Sequence, residues 1–319
     1  MITVLCGGVG AARFLRSLRG VPDLDPTDVV GVVNTGDDTV LHGLAISPDI
    51  DTITYTLAGA IDPERGWGLI DETWTAMASL ARYAAIRPAG SLAAPTWFNL
   101  GDRDLATHFY RTARLAEGAS LTEVTAEICR AWALPERLVP MSDQRVATEI
   151  DLVEGGMVTF QEYFVRLRHA VPVRTVRFEG ASTASLQPSA ADAIRDADVV
   201  VVAPSNPIVS IGPMRALAGL DDSLAARRRS VVAVSPIVGG AALKGPADRM
   251  MVELGHEASV VGVARLYRDI AGTLVIDPAD AHLAADVVAA GMRCVVQPSI
   301  MSDPAIGAAL ARAVLAAAR

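Results

Sequence analysis

The 319 residues carry 28 Lys and Arg against 36 Asp and Glu, a formal net charge of −8 with His neutral, and 51% of them are hydrophobic. That length and apolar fraction allow one large core, or one core with an inserted subdomain, and the acidic balance excludes the basic footprint that nonspecific nucleic-acid binding requires. No apolar run approaches the roughly eighteen residues of a membrane span, and three widely separated cysteines, Cys6, Cys129 and Cys294, exclude a disulfide framework or a zinc cluster.

The first element is an apolar strand, Ile2-Thr3-Val4-Leu5-Cys6, running into Gly7-Gly8-Val9-Gly10 and then a helix. Glycines at such a junction let the backbone approach a ligand closely, and the N–H groups of the first helical turn suit a phosphate. With no basic leader before the strand, a cytoplasmic protein is expected. The spacing Gly8-x-Gly10-x-x-Arg13 lacks the third glycine of the dinucleotide fingerprint, and no Gly-Lys-Ser/Thr follows for a P-loop. A second strand, Val29 to Val33, ends in Asn34-Thr35-Gly36-Asp37-Asp38. A nicotinamide-binding unit would place an acid first there, for the ribose hydroxyls. Asn34 disfavours a dehydrogenase, and phosphates at one loop with acids at the next imply a metal ion between them.

Next comes Ser47-Pro48-Asp49-Ile50-Asp51-Thr52. Alone, Asp51 reads as a helix N-cap; with Asp37 and Asp38 it makes an oxygen-rich corner suited to Mg²⁺. Residues 51 to 137 read as mostly helical, with apolar periodicity over Asp71 to Tyr83 and Asp104 to Leu115. In Asn99-Leu100-Gly101-Asp102-Arg103-Asp104, either Asp102 or Asp104 can cap the following helix while Arg103 pairs locally. Ser120 and Glu123 form a capping box. Gln144 to Glu154 and Met157 to Arg166, flanking Gly155-Gly156, predict a hairpin. A mostly helical insert, 51–166, thus interrupts a core of residues 1–50 and 167–319 and caps its sheet.

From Asp198 onward strands and helices alternate: Val199 to Val202, Gly212 to Gly219, Ser230 to Val234, Pro246 to Leu254, Val260 to Val263, Thr273 to Ile276, Ala279 to Ala290, Arg293 to Val296, and a helix from Pro304. The even-handed apolar runs predict an α/β fold, a doubly wound and mainly parallel sheet. Two uncharged or nearly uncharged loops follow strands, Ala203 to Pro213 and Val234 to Pro246, where such sheets bind ligands. Lys244, in the second, can reach a phosphate. Arg227-Arg228-Arg229 reads as a solvated helix end. The five histidines show no metal-ligand spacing, and no nucleophile–base pair is evident. Phosphoryl-type chemistry remains, in which positioning and charge neutralisation supply most of the catalysis.

Taken in order, Gly7-Gly8-Val9-Gly10, Asn34-Thr35 with its acids, Ser47 to Thr52, Leu100-Gly101-Asp102-Arg103-Asp104, Pro140-Met141-Ser142-Asp143, Pro204-Ser205-Asn206-Pro207 with Ser210-Ile211-Gly212-Pro213, and Val234-Ser235-Pro236-Ile237 resemble the 2-phospho-L-lactate transferase family of coenzyme F-420 biosynthesis. That family is called CofD in archaea and FbiA in actinobacteria, and the match covers nearly the whole chain. The resemblance implies a Rossmann-like fold, a homodimer and Mg²⁺ dependence. It also implies a reaction in which the ribityl hydroxyl of the deazaflavin Fo (7,8-didemethyl-8-hydroxy-5-deazariboflavin) attacks a guanosine-diphospho-linked three-carbon acid and releases GMP. The donor is lactyl in archaeal members and enolpyruvyl, giving dehydro-F-420-0, in actinobacterial ones. An Ala- and Arg-rich composition with a single lysine points to the second.

By the same resemblance Asp51 and Asn99 hold the deazaflavin, Asn99 standing where archaeal members carry a basic residue. Asp37, Asp38 and Asp51 are the candidates for Mg²⁺ and for orienting the hydroxyl, with their roles undivided and Asp51 the candidate base. Gly7, Gly8, Gly10, Thr35, Ser205, Asn206, Ser210 and Gly212 hold the guanosine diphosphate part of the donor. Small molecules are the only substrates implied, with neither nucleic acid nor membrane as partner. The rival is a non-catalytic UDP-sugar-binding regulator of the gluconeogenesis-factor type, which shares similar glycine and Ser-Asn-Pro loops; the Leu100 to Asp104 segment argues for the transferase.

Overall fold

Runs of Val and Ile with no polar face can be buried only in a sheet covered on both sides, and the chain places them in one. The computed structural model describes residues 1–91 and 93–318. It opens with β1 (Ile2–Cys6), α1 (Gly8–Leu18), β2 (Val29–Val33), a short hairpin of β3 (Thr39–Leu41) and β4 (Leu44–Ile46), and α2 (Pro48–Leu57). Then come α3 (Thr75–Ala84), α4 (Asp104–Ala116), α5 (Leu121–Ala131), β5 (Arg137–Pro140), β6 (Ala147–Leu152), β7 (Gly156–Thr159) and β8 (Val173–Glu179). The remainder alternates: α6 (Pro188–Asp196), β9 (Val199–Val202), α7 (Gly212–Arg215), α8 (Leu220–Ala226), β10 (Val231–Val234), a tight pair β11 (Ile237–Val238) and β12 (Ala241–Ala242), and α9 (Ala247–Glu253). It closes with α10 (Val260–Tyr267), β13 (Thr273–Ile276), α11 (Ala284–Ala289), β14 (Arg293–Val296) and α12 (Pro304–Ala317).

Seven strands form one parallel sheet in the order β14-β13-β10-β9-β1-β2-β5. Ile2 stands opposite Val29 on one side and Val199 on the other. The chain builds outward through β2 and β5, then in the opposite direction through β9, β10, β13 and β14. The order therefore reverses between β1 and β9, the point at which open α/β sheets bind ligands beyond the strands' carboxyl ends. Alternate side chains go to opposite faces. Leu5, Val32, Val202 and Leu274 meet α6, α8 and α10, whereas Val4, Cys6, Val33 and Val234 meet Phe14 and Leu15 of α1, Ile50 and Ile53 of α2, and Leu310 and Val314 of α12.

Four expectations change. Val260 to Val263 is not a strand but the start of α10, because Ser259 Oγ accepts from Val261 and Gly262 N–H and launches a helix; a short run buried on every side has no periodicity to distinguish the two states. The segment 51–166 does not stand wholly apart, since β5 returns to the main sheet beside β2, its Leu138, Val139 and Pro140 buried there. The hairpin about Gly155-Gly156 gains β8, from beyond residue 166, as the third strand of a small antiparallel sheet, and its second arm ends in a π-helical turn over Glu162–Arg166. Residues 279–290 divide into a 3₁₀ turn, Pro278–Leu283, and α11.

Candidate functional site

A cleft of about 660 Å³ opens beyond the carboxyl ends of β1, β2, β9 and β10. The glycine loop forms its floor. Gly7 N–H donates to Ser205 Oγ at 3.3 Å, whose own hydroxyl donates to the Gly7 carbonyl at 2.8 Å. Gly8 N–H donates to Asp49 Oδ1 at 2.7 Å. Two of the N–H groups expected to cradle a phosphate are thus held by protein, while Val9 and Gly10, in the first turn of α1, have no intrahelical acceptor for theirs. Gly10 is a matter of close approach: a Cβ there would fall 2.2 Å from the Pro204 carbonyl oxygen, so α1 lies directly on the loop after β9.

Pro48 at the start of α2 presets the helical φ, which turns Asp49 in the first turn toward that loop. Its second oxygen accepts from Asn34 Nδ2 at 2.9 Å. Burial pushes the Asp49 carboxyl up to about 6 despite both bonds. Asp37, also buried, is pushed well up by burial and by the Asp49 charge, and its Oδ1 has no protein partner among the described residues. Asp37, Asp49 and Asp51 all line the cleft. Asp38 does not; it accepts from Ser47 Oγ at 2.7 Å behind the lining, where burial raises its pKa.

The deeper wall is a polar cluster between two helices. Asp51 and Tyr55 are one turn apart on α2, and Asp104, His108 and Arg111 share a face of α4. Asp51 is therefore not a cap but the partner of a fully buried arginine: Arg111 Nη2 donates to its Oδ1 and Nη1 to its Oδ2 at 3.1 Å. Tyr55 donates to Asp104 Oδ1 at 2.5 Å. His108 lies between the acids, Nδ1 3.7 Å from Asp51 Oδ2 and Nε2 3.3 Å from Asp104 Oδ2. Arg111 Nη1 stands 3.3 Å from His108 Nδ1, so the guanidinium and the ring share the space beside Asp51. Burial works to raise Asp104, but His108, Tyr55 and Arg111 outweigh it and hold the carboxyl below its ordinary range.

The Leu100 to Asp104 segment builds the rim of this wall. Asp102 caps not the following helix but α3, accepting from Thr75 and Ala76 N–H at 2.9 and 3.0 Å. Glu72, just before α3, returns the favour to α4 by accepting from Arg103 and Asp104 N–H, both at 2.9 Å. Arg103 does not make the local pair expected from sequence but donates to the Ile70 carbonyl across the rim at 2.6 Å. Above the rim, Trp67, Trp97 and Phe98 line the mouth with the exposed Asn99, and the Arg65 guanidinium sits 5.5 and 5.4 Å from the Trp67 and Trp74 rings.

The family model described as 2-phospho-L-lactate transferase CofD matches residues 2–292. The chain belongs to the CofD family. It is 44% identical to a phosphoenolpyruvate transferase of Kitasatospora aureofaciens, over 99% of this chain and 97% of the relative. Proteins of the same name from Streptomyces griseus subsp. griseus and Mycolicibacterium smegmatis are 43% and 40% identical, each over 98% of this chain and 97% of the relative. A crystal structure of a UPF0052-family protein from Bacillus halodurans superposes with a TM-score of 0.60 at 13% identity, covering 98% of both chains, which speaks to the fold alone. Among the described residues no helix is long and apolar enough to cross a membrane.

In this CofD-family cleft the residues expected from sequence divide. Gly7, Gly8, Gly10, Asp37, Asp51, Asn99, Ser205, Asn206 and Ser210 line it. Asp38, Thr35 and Gly212 stand outside the lining: the buried Thr35 lies in the turn behind Asp37, and Gly212 packs on Phe178. Asn206 spends its side-chain oxygen on the Ile208 and Val209 N–H groups, shaping its own loop. Sequence reasoning missed Asp49 as a loop holder and Tyr55, Asp104, His108 and Arg111 as a cluster. One signal was available: Asp104, His108 and Arg111 recur at helical spacing, acids and bases on one face. Asp51, Asp104 and His108 each present a ligand atom within 4.8 Å of the others, although Asp51 already has Arg111.

Proposed function

We propose that the chain is an enzyme of coenzyme F-420 biosynthesis that transfers a phosphoenolpyruvyl group from a guanosine-diphospho-linked donor to the ribityl hydroxyl of Fo, giving dehydro-F-420-0 and GMP. The observation that carries this reading is that one cleft joins three compartments: the glycine loop, an acid corner, and an aromatic-walled mouth. The names of relatives 40–44% identical favour the enolpyruvyl donor over the 2-phospho-L-lactyl one.

In the reaction the hydroxyl oxygen bonds to the phosphorus that carries the three-carbon acid, the bond from that phosphorus to the bridging oxygen breaks, GMP leaves with the bridging oxygen, and the hydroxyl loses its proton. The free N–H groups at Val9 and Gly10 suit phosphate oxygens of the donor. Trp67, Trp97 and Phe98 offer faces to a planar ring. Arg111, with its two bonds, fixes the orientation of the Asp51 carboxylate toward the cleft, so that the acceptor hydroxyl meets a preset partner.

Oxygen donors of the kind Mg²⁺ prefers are present: Asp37 carries an unpartnered buried oxygen, Asp37 and Asp51 both line the cleft, and the ion takes one or two carboxylates plus substrate phosphate. Bound there, Mg²⁺ would neutralise charge on the transferring phosphoryl group. Asp38 accepts from Ser47 through Oδ2 and, among the described residues, also has an unpartnered Oδ1, but it stands outside the cleft lining. A homodimer belongs to the same proposal, and light scattering in solution tests it.

The deciding experiment is mass spectrometry of the products after incubation with Fo, Mg²⁺ and either the enolpyruvyl or the lactyl guanylated donor in separate tubes. Product from the enolpyruvyl donor supports the full reading, and product from the lactyl donor alone overturns the donor choice. No product from either, together with binding of a UDP-sugar, replaces the transferase by the regulator. Activity undiminished by exhaustive chelation removes the metal.

A further inference from the structure

One charge at the cleft mouth is used by neither the acid corner nor the aromatic wall. Lys244, the only lysine among the 28 basic residues, follows β12 and lines the cleft. Of the acids at or near the cleft, Asp51 pairs with Arg111 and Asp62 with Arg65, Asp104 faces His108, and Asp49 accepts from Gly8 and Asn34. Among the described residues Lys244 forms no ion pair.

The ammonium lies beside Gly66. A Cβ on Gly66 would fall 2.7 Å from Lys244 Nζ and 4.0 Å from Val9 Cγ1. Three distant segments therefore meet: the glycine loop, the strap over residues 62–69, and the turn that carries Lys244. Gly66 also has φ +74°, a left-handed conformation in which a side chain is strained. The strap is braced without the lysine. Gly66 N–H donates to the Asp62 carbonyl at 2.9 Å, Asp62 Oδ1 accepts from Glu64 and Arg65 N–H, and Arg65 donates to the Leu69 carbonyl. Holding the strap is thus not what the ammonium is for. Arg13, one turn beyond Val9 on α1, also lines the cleft, so Lys244 and Arg13 bring two cations to a cleft whose Asp49 is already bonded to Gly8 and Asn34.

We infer that Lys244 grips the diphosphate of the donor against the glycine loop. The inference rests on the guanylated-donor reading above. A compact point charge on a flexible stem suits a diphosphate entering from solvent, and its place beside Gly66, which also faces Val9 of the glycine loop, assigns it to the donor.

The test uses the full chain with Lys244→Ala and Lys244→Arg, measuring GDP binding by titration calorimetry and the KM of each substrate. Lys244→Ala should weaken GDP binding and raise donor KM by about ten- to a hundredfold, with the KM for Fo unchanged within about twofold. Lys244→Arg should recover most of the loss. Wild-type GDP affinity and donor KM in Lys244→Ala overturn the inference. So does an equal loss for both substrates, the mark of a disturbed strap. If the wild-type protein makes no product from either donor, the functional reading fails, and the GDP titration alone decides Lys244.

Discussion

Asn34 donates its side-chain amide to Asp49 at 2.9 Å, and this bond locks the loop after β2 to the first turn of α2. The Asn34 oxygen accepts from Gly36 N–H and the other Asp49 oxygen from Gly8 N–H, so one amide and one carboxylate key three loops together. Asp49→Asn sets amide against amide, and Asn34→Asp sets carboxylate against carboxylate. Each should destabilise by about 1–3 kcal/mol and weaken donor binding through the displaced glycine loop. The exchanged pair, Asn34→Asp with Asp49→Asn, restores one donor facing one acceptor and should regain most of both losses. Denaturant midpoints for the four proteins check this; an exchanged pair no better than the single variants would remove the hydrogen bond as the explanation.

Because Asp51 is the partner of a buried guanidinium, alanine is a poor probe of its chemistry. Asp51→Ala and Arg111→Ala each strand one member of a buried pair, a change that costs about 3–5 kcal/mol. Asp51→Asn keeps the volume and an acceptor for Arg111, and is expected to abolish turnover with a smaller drop in melting temperature. Replacing both residues by Leu should be less destabilising than Arg111→Ala, yet inactive. Full turnover by Asp51→Asn would take Asp51 out of the mechanism.

The acid corner should also shape the pH dependence of stability. Folding raises the Asp49 carboxyl from the usual aspartate value to about 6, through burial, and raises Asp37 through burial and the Asp49 charge. Between the two values the folded chain binds more protons than the unfolded one. The stabilising contribution is therefore complete below about pH 4 and lost as pH rises through about 6, and for Asp49 it is on the order of 3 kcal/mol. In chelator, the wild-type denaturant midpoint should fall relative to that of Asp49→Asn as pH rises from 4 to 7. Mg²⁺ should restore it more at pH 7 than at pH 5. A gap that stays constant across the range contradicts a raised Asp49.

Much of this site was legible because the residues that frame it are punctuated locally. Val-rich runs mark strands buried on both faces, and the loops after β1, β2, β9 and β10 end those runs with glycine, acid or proline. The α2–α4 cluster was not legible for the opposite reason. Arg111 reads as the outward residue of an amphipathic helix, and its partner Asp51 is sixty positions away, so only tertiary packing shows that the pair is buried. From sequence Asp38 reads as a cleft acid and Asp49 does not; the structure reverses them, because Pro48 starts α2 one residue before Asp49 and Asp38 is turned to Ser47. Val260 to Val263 failed on the same ground as any short apolar run, whose burial on all sides erases the period that separates helix from strand.

The Leu100 to Asp104 segment offers the most local test of how the wall is held. A Cβ at Gly101 would lie 2.1 Å from the Glu72 carboxyl carbon, and Glu72 holds the N–H groups of Arg103 and Asp104. Gly101→Ala should drive Glu72 off the start of α4 and shift Asp104 from Tyr55 and His108. The expected result is a fall in kcat of about ten- to a hundredfold, since misplacement of about 1 Å is enough for a loss of that size. Asp102 is the control two bonds away: it caps α3 through Thr75 and Ala76, so Asp102→Ala should lower the melting temperature modestly and leave kcat near wild type. Glu72→Ala should share the kinetic defect of Gly101→Ala, because both free the same two N–H groups. If Gly101→Ala turns over normally, or if Asp102→Ala is the more damaging of the two, the wall is positioned by something other than the Glu72 cap.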